Sequence, residues 1–204
     1  ELRVDAAPDP TDFERELIDL EIRYGTGQWD DYEAGVLLQD HVLPLCSPIY
    51  LAALPIAAKP AMVFDSARLI ASTRALCQWD LWLLRNGIET QGNSKKILID
   101  RSSMALQLAL DGAGIVLESL ALAAPEVMAG RLVPVAPELP ILSFPAYWTF
   151  CPSRHLKRRA VRLFLDWLGS QKTAHDADIA EITKHHGLTT TEIDIKEIAS
   201  YGSE

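Results

Sequence analysis

Ile97-Leu98-Ile99-Asp100-Arg101-Ser102-Ser103-Met104-Ala105-Leu106-Gln107-Leu108-Ala109-Leu110-Asp111-Gly112 decides how the rest of this chain is read. Ile97–Arg101 is a short apolar run with strand character. Ser103–Gly112 is a helical stretch that closes on glycine, the residue that most easily ends a helix in the left-handed conformation. A strand running directly into a helix is half of a βα unit, and ligands of such units bind at the carboxyl ends of the strands. The serine pair at the junction has two readings. Its side chains cap the first turn by accepting from orphan backbone N–H groups, or those amides and the helix dipole are left to an anion.

Outward from this unit, strands alternate with helices. Strand patterns fall near Leu2–Ala6, Asp19–Tyr24, Val36–Leu45, Arg68–Ala71, Gly114–Leu117, Leu132–Val135 and Tyr147–Cys151. Helical patterns fall near Asp12–Leu17, Pro48–Ala53, Cys77–Asn86, Leu120–Ala129 and Ser153–Ser170. Such alternation predicts an α/β fold with a largely parallel sheet. Thr11-Asp12-Phe13-Glu14 fits a capping box with Thr11 as the cap. Trp79, Trp82 and Leu83 form an apolar stripe suited to a core or a subunit interface. Leu163, Phe164, Trp167 and Leu168 form a second stripe, with His155, Lys157, Arg158 and Arg159 expected as a solvated face. Gly112-Ala113-Gly114 reads as a tight helix-to-strand turn and lacks the spacing of a dinucleotide site. The polar end, Ala174–Glu204, holds a short helix over Ala177–His186. Ile193–Ile198 alternates like a strand and is also open to a helical reading.

The 204 residues are 49% hydrophobic and 23% charged, with a net charge of −9. This composition suits a globular protein with one core or two small lobes. The acidic balance argues against a nucleic-acid-binding surface within these residues. No apolar run reaches transmembrane length and no signal-peptide pattern is present. Cys46, Cys77 and Cys151 are widely spaced, without a CxxC pair, so a structural zinc site is not expected and reduced thiols in the cytoplasm are. There is no P-loop, GxSxG elbow or HExxH, and the adjacent His185 and His186 diverge on a helix, so neither enzymatic activity nor a cofactor is expected. Glu1-Leu2-Arg3-Val4-Asp5 reads as a strand at the start of a piece cut from a longer protein. That strand needs a partner for its N–H and C=O groups, and Ile193–Ile198 or a neighbouring chain is the expected source.

Several segments, in order, resemble the effector-binding domain of LysR-type transcriptional regulators. Phe13-Glu14-Arg15-Glu16-Leu17-Ile18-Asp19-Leu20-Glu21-Ile22-Arg23-Tyr24-Gly25 resembles the segment in which a helix leads into a strand ending Ile-Arg-Tyr-Gly. Leu43-Pro44-Leu45-Cys46-Ser47-Pro48 resembles the strand into the second lobe. Trp79 to Gly87 is similar to the Trp-containing helix of the glycine-cleavage-activator branch, and Ser102 to Leu117 to the helix–Gly–strand segment. Ala129-Gly130-Arg131-Leu132-Val133 and Phe164-Leu165-Asp166-Trp167-Leu168 are further pieces of the pattern.

The resemblance implies two Rossmann-like lobes joined by two crossover strands, as in type 2 periplasmic binding proteins. Lobe one is expected at residues 1–43 plus 151–204 and lobe two at 44–150, each with its own sheet. The resemblance further implies a small anionic effector between the lobes, a homodimer or homotetramer, and DNA binding through a winged helix-turn-helix outside these residues. Against the family pattern, the first βα unit of such domains is expected to lie outside these residues, and the tail beyond about Thr173 is expected to run past the usual end. The alternatives are a thiol-based redox sensor on the same fold and a free-standing solute-binding protein.

The expected ligand residues are Asp9, Arg23 and Tyr24 from lobe one and Arg101, Ser102 and Ser103 from lobe two, with Tyr147 near the hinge. Arg23 ends an apolar strand, where a charge needs a partner. That partner is either an effector carboxylate or a neighbouring acid such as Asp19 or Glu21. Phe144, Pro145 and Tyr147 either wall the pocket or pack in the core.

Overall fold

The computed structural model describes residues 2–7, 11–15, 17–27, 33–55, 59–92 and 94–201. The strands are β1 (Glu21–Tyr24), β2 (Glu33–Cys46), β3 (Arg68–Ser72), β4 (Lys95–Ile99), β5 (Ile115–Ser119), β6 (Val133–Pro134), β7 (Ile141–Cys151) and β8 (Thr190–Glu192). The helices are α1 (Pro48–Ala52), α2 (Pro60–Ser66), α3 (Trp79–Arg85), α4 (Ser102–Leu110), α5 (Leu120–Met128), α6 (Arg159–His186) and α7 (Ile195–Tyr201). Among the described residues the eight strands form one sheet in the order β1-β7-β2-β5-β3-β4, with β6 beside β2 and β8 beside β7.

Two long strands carry the sheet. β2 pairs antiparallel with β7 from Glu33↔Cys151 to Val42↔Leu142, with register shifts between Val36 and Gln39. Beyond the shifts β2 also pairs with β5, from Val42↔Ser119 to Leu45↔Val116. β5, β3 and β4 are mutually parallel, as the βα alternation predicts. The expected two separate sheets do not form. β2 and β7 pair on both sides of the register shifts and so join all the strands into one sheet, because each crossing strand is long enough to pair at both ends.

Period-two alternation sorts the β3–β5 side chains between two cores. Leu69, Ala71, Ile115 and Leu117 face one cluster with Phe64, Trp79 and Trp82. Ile70 and Val116 face the other with Ala105, Leu106, Ala109 and Leu120. Helices α2 and α3 thus cover one face, and α4 and α5 the other. The tryptophan stripe is core. Trp79 and Trp82 are buried, their rings 6.0 Å apart and edge-on, and Trp79 Nε1 donates to Ile70 O at 3.0 Å. Gly112 takes φ +75° to end α4, and a Cβ on Gly114 would lie 2.4 Å from Arg68 O. Only glycine lets β5 come this close to β3.

The N-terminal and C-terminal expectations need correction. Leu2–Ala6 forms no strand, having no strand partner among the described residues. Where a helix over Asp12–Leu17 is expected, Phe13–Arg15 is a turn, and Asp12 Oδ1, not Thr11, accepts from Glu14 N and Arg15 N at 3.0 and 3.3 Å. Helix α2 was not anticipated; Pro60, which suits a first helical turn, marks its start. His155 is buried, its Nδ1 3.0 Å from Asp19 O, so it is not part of a solvated face. Leu163 and Trp167 of the second stripe are exposed, while Leu168 is buried.

The expected short helix over Ala177–His186 is the C-terminal end of the 28-residue α6. Its Ile179 and Ile182, with Leu188, pack into the cluster of α4 and α5. Thr190–Glu192 pairs parallel with Ile141–Ser143, and Ile193 and Ile198 join the tryptophan cluster. The tail therefore packs on the elements of residues 44–150 and not beside Leu2–Asp5 or with lobe one. Between Leu168 and Ile179 no residue of α6 is buried, so the helix runs through Lys172–Asp176 without an apolar face to signal its continuity.

All three cysteines are buried. Burial pushes the Cys46 and Cys77 thiols up to about 12, far from the depressed values of reactive thiols. In the native protein at pH 7, a colourimetric thiol reagent should modify Cys46 and Cys77 slowly, with full reaction of all three only in urea. Rapid native modification of all three would contradict this packing.

Candidate functional site

The carboxyl ends of the parallel strands open on a cleft of about 220 Å³ lined by Tyr24, Ser72, Arg74, Ala75, Asp100, Arg101, Ser102, Glu118, Leu122 and Tyr147. Ser72 ends β3, Asp100 and Arg101 follow β4, and Glu118 is the penultimate residue of β5. A parallel sheet presents its strand ends and the following helix N-termini to one side, where ligands of α/β folds bind. Tyr24 and Tyr147 close the cleft from β1 and β7. They are register partners, with ring centroids 5.0 Å apart.

Tyr24 anchors this wall. Its hydroxyl donates to Asp40 Oδ2 at 2.9 Å and accepts from Leu76 N at 3.0 Å. One oxygen thereby joins β1, the middle of β2 and the loop after β3. Asp40 is buried, and burial raises its pKa against the pull of Ser119 and Tyr24. Burial, reinforced by the Asp40 charge, raises Tyr24 well above the ordinary phenol value, and Tyr147 is raised in the same way. Both tyrosines are neutral donors at physiological pH.

Glu118 is the second buried acid. Its Oε1 accepts from Ser119 N at 2.9 Å, while Oε2 has no hydrogen-bond partner within the described protein. Burial raises its pKa, opposed by Ser119 N and the Ser102 hydroxyl and assisted by the Asp40 charge. Ser102 therefore turns towards Glu118 and does not cap α4. The N-cap is Arg101, which makes no side-chain cap bond, and the serines occupy the first two helical positions.

Of the expected ligand residues, the cleft brings together Tyr24, Arg101, Ser102 and Tyr147. Arg23 is not among its lining residues. Successive strand residues point to opposite faces, so with Tyr24 turned inward Arg23 faces away, where Arg23 Nε donates to Glu21 Oε1 at 2.9 Å. Its partner is the neighbouring acid. Ser103 is exposed and off the lining, since consecutive helical residues diverge by about 100°. Asp9 lies outside the described residues. Phe144 is core and Pro145 is half-buried off the lining. Ser72, Arg74, Asp40 and Glu118 were missed. For the two acids a signal was present: each interrupts an apolar strand, Val36-Leu37-Leu38-Gln39-Asp40-His41-Val42 and Ile115-Val116-Leu117-Glu118. An acid in such a position is buried at a cost unless the site uses it.

Fold and cleft together define a ligand-binding α/β domain of the type 2 periplasmic-binding class. Residues 1–172 match the model of the LysR substrate binding domain, and the chain belongs to that family. It is 32% identical over 169 residues to the HTH-type transcriptional regulator PerR of Escherichia coli K12, covering 82% of this chain and 55% of that protein. It is 24% identical over 174 residues to the glycine cleavage system transcriptional activator of the same organism, covering 85% and 56%. The chain thus spans about half the length of these relatives. The effector domain of AmpR from Pseudomonas aeruginosa superposes with a TM-score of 0.69 at 26% identity, covering 85% of this chain and 82% of that one. The AmpR effector binding domain from Citrobacter freundii gives 0.66 at 25%, covering 81% and 80%. Among the described residues no helix is long and apolar enough to cross a membrane, and no group of three or more His, Cys, Asp and Glu could hold a metal ion.

The buried acids give a pH signature. Because burial raises the folded-state pKa of Glu118 and Asp40, the folded protein binds more protons than the unfolded chain between the ordinary carboxylate value and the raised one. Stability then falls as pH rises through that window, and the penalty is complete above the folded pKa and absent below the unfolded one. Thermal melts of Glu118→Gln from pH 4.5 to 8 should fall less steeply than those of the wild type, leaving the variant more stable at pH 8. Parallel pH profiles would mean that Glu118 is not buried as an acid.

Proposed function

We propose that this chain is the effector-sensing part of a DNA-binding transcriptional regulator, with the effector held in the cleft between Tyr24, Tyr147, Arg101, Ser102 and Glu118. The observation that supports this most is that the cleft lies at the parallel strand ends, walled on its far side by residues of the crossing strands. An effector there touches segments on both sides of β2 and β7, and binding favours one arrangement of them over another. In this reading residues 1–43 and the start of the segment after 151 form one lobe. Residues 44–150, with the tail from about Ala177, form the other.

The relatives named as an HTH-type transcriptional regulator and a transcriptional activator support this reading. The proposal accordingly includes a winged helix-turn-helix elsewhere in the protein, a homodimer or homotetramer, and a cytoplasmic setting without enzymatic turnover. A redox-sensing role draws no support from three buried thiols. A free-standing solute-binding role draws none from relatives that are regulators.

The test is a thermal-shift screen of the full-length protein against a small-metabolite library, followed by calorimetry on each hit. A ligand binding only the folded state raises the melting temperature. Ser102→Ala should weaken effector binding by roughly tenfold, the scale of one hydrogen bond to a charged group. Arg23→Ala should leave affinity within about twofold, because Arg23 pairs with Glu21. The reverse pattern would place the effector elsewhere.

A further inference from the structure

The cleft has two chemically distinct ends. At its floor Glu118 is 4% exposed and Ser72 is 1% exposed. Both line the cleft, and neither Glu118 Oε2 nor Ser72 Oγ has a hydrogen-bond partner within the described protein. No described cation forms an ion pair with Glu118. A buried carboxylate with one idle oxygen is costly, and a donor brought by a ligand relieves that cost. At the rim are Arg74 and Arg101, both exposed. Arg101 only leans on Asp100 at 3.9 Å, and Arg74 forms no ion pair among the described residues. Beside them opens the nine-residue α4, whose first turn has no side-chain cap and whose dipole favours an anion.

We infer that the effector is a small zwitterion of the amino-acid class, its ammonium on Glu118 and Ser72 at the floor and its carboxylate towards Arg101, Arg74 and the α4 N-terminus at the rim. This rests on the cleft being the effector site and replaces a wholly anionic ligand with one carrying both charges. A plain carboxylate satisfies the rim and leaves Glu118 idle or repelled. A plain amine satisfies the floor alone. The volume sets the size. About 220 Å³ is below the roughly 300–1,000 Å³ of sites for drug-sized ligands, which favours compact side chains over aromatic ones.

The experiment is calorimetry and thermal shift on the full-length protein with the twenty common L-amino acids, their N-acetyl derivatives and their methyl esters. The expected result is binding by one or a few compact amino acids, with both derivatives weaker by at least about tenfold, since each removes one charge-assisted contact. Glu118→Gln should weaken the amino acid by about tenfold or more and narrow its advantage over the N-acetyl derivative. Ser72→Ala should give a smaller loss and serves if Glu118→Gln does not fold. Binding of N-acetyl derivatives as tight as that of the parent amino acids overturns the ammonium assignment and leaves the effector cleft standing. Silence across amino acids, derivatives and the metabolite library overturns both.

Discussion

The Tyr24 hydroxyl is the joint on which this architecture depends. It donates to a buried carboxylate on β2 and accepts an amide from the loop after β3, while its ring rests on Tyr147 of β7. Three segments far apart in sequence meet at one oxygen. Without that hydroxyl, Asp40 would be a buried carboxylate with one donor fewer, and the Leu76 amide would lose its acceptor. Each loss costs about 1–3 kcal/mol in a buried setting. The same contact fixes which face of β1 looks inward, and so sends Arg23 outward to Glu21.

A chain of buried polar groups extends from that joint into the cleft. Asp40 lies behind Tyr24, Glu118 lies at the floor, and the Asp40 charge adds to the burial that raises the Glu118 pKa. Acids in such positions weaken the fold at neutral pH unless they are bonded or protonated. Their presence at the ends of parallel strands is a stability cost concentrated where a ligand would relieve it. That is the physical form expected of a sensing site, in which binding energy is coupled to the arrangement of the surrounding segments.

Much of this was legible in the sequence. The βα alternation around Ser102 and the glycine turn at 112–114 give the parallel strands and the side on which the cleft opens. Ser102 is expected at the cleft from the family resemblance, and Tyr24, Arg101 and Tyr147 from their places at strand ends; all four line the cleft. Tertiary pairing overrode the local signals elsewhere. Leu2–Ala6 alternates like a strand but pairs with none of the described strands, and Ile193–Ile198 is split between the segment after β8 and α7. The continuity of α6 between the two helices read over Ser153–Ser170 and Ala177–His186 is hidden because the connecting residues are mostly polar and none is buried. Arg23 pairs with Glu21, one of the two kinds of partner the sequence leaves open, because a charge on a strand end names a need for a partner without naming the partner. Asp40 and Glu118 are visible as acids within apolar strands, and only the pairing of β2 with β5 brings them close enough for the Asp40 charge to act on Glu118.

Peptide-resolved hydrogen exchange of the full-length protein, wild type against Tyr24→Phe, tests the joint directly. Faster exchange should be confined to Ala75–Gln78, β1 and the Tyr147–Phe150 stretch of β7, with β3, β4 and β5 unchanged. Unaltered exchange in those segments, or an even rise across the whole sheet, would contradict the role assigned to this single hydroxyl.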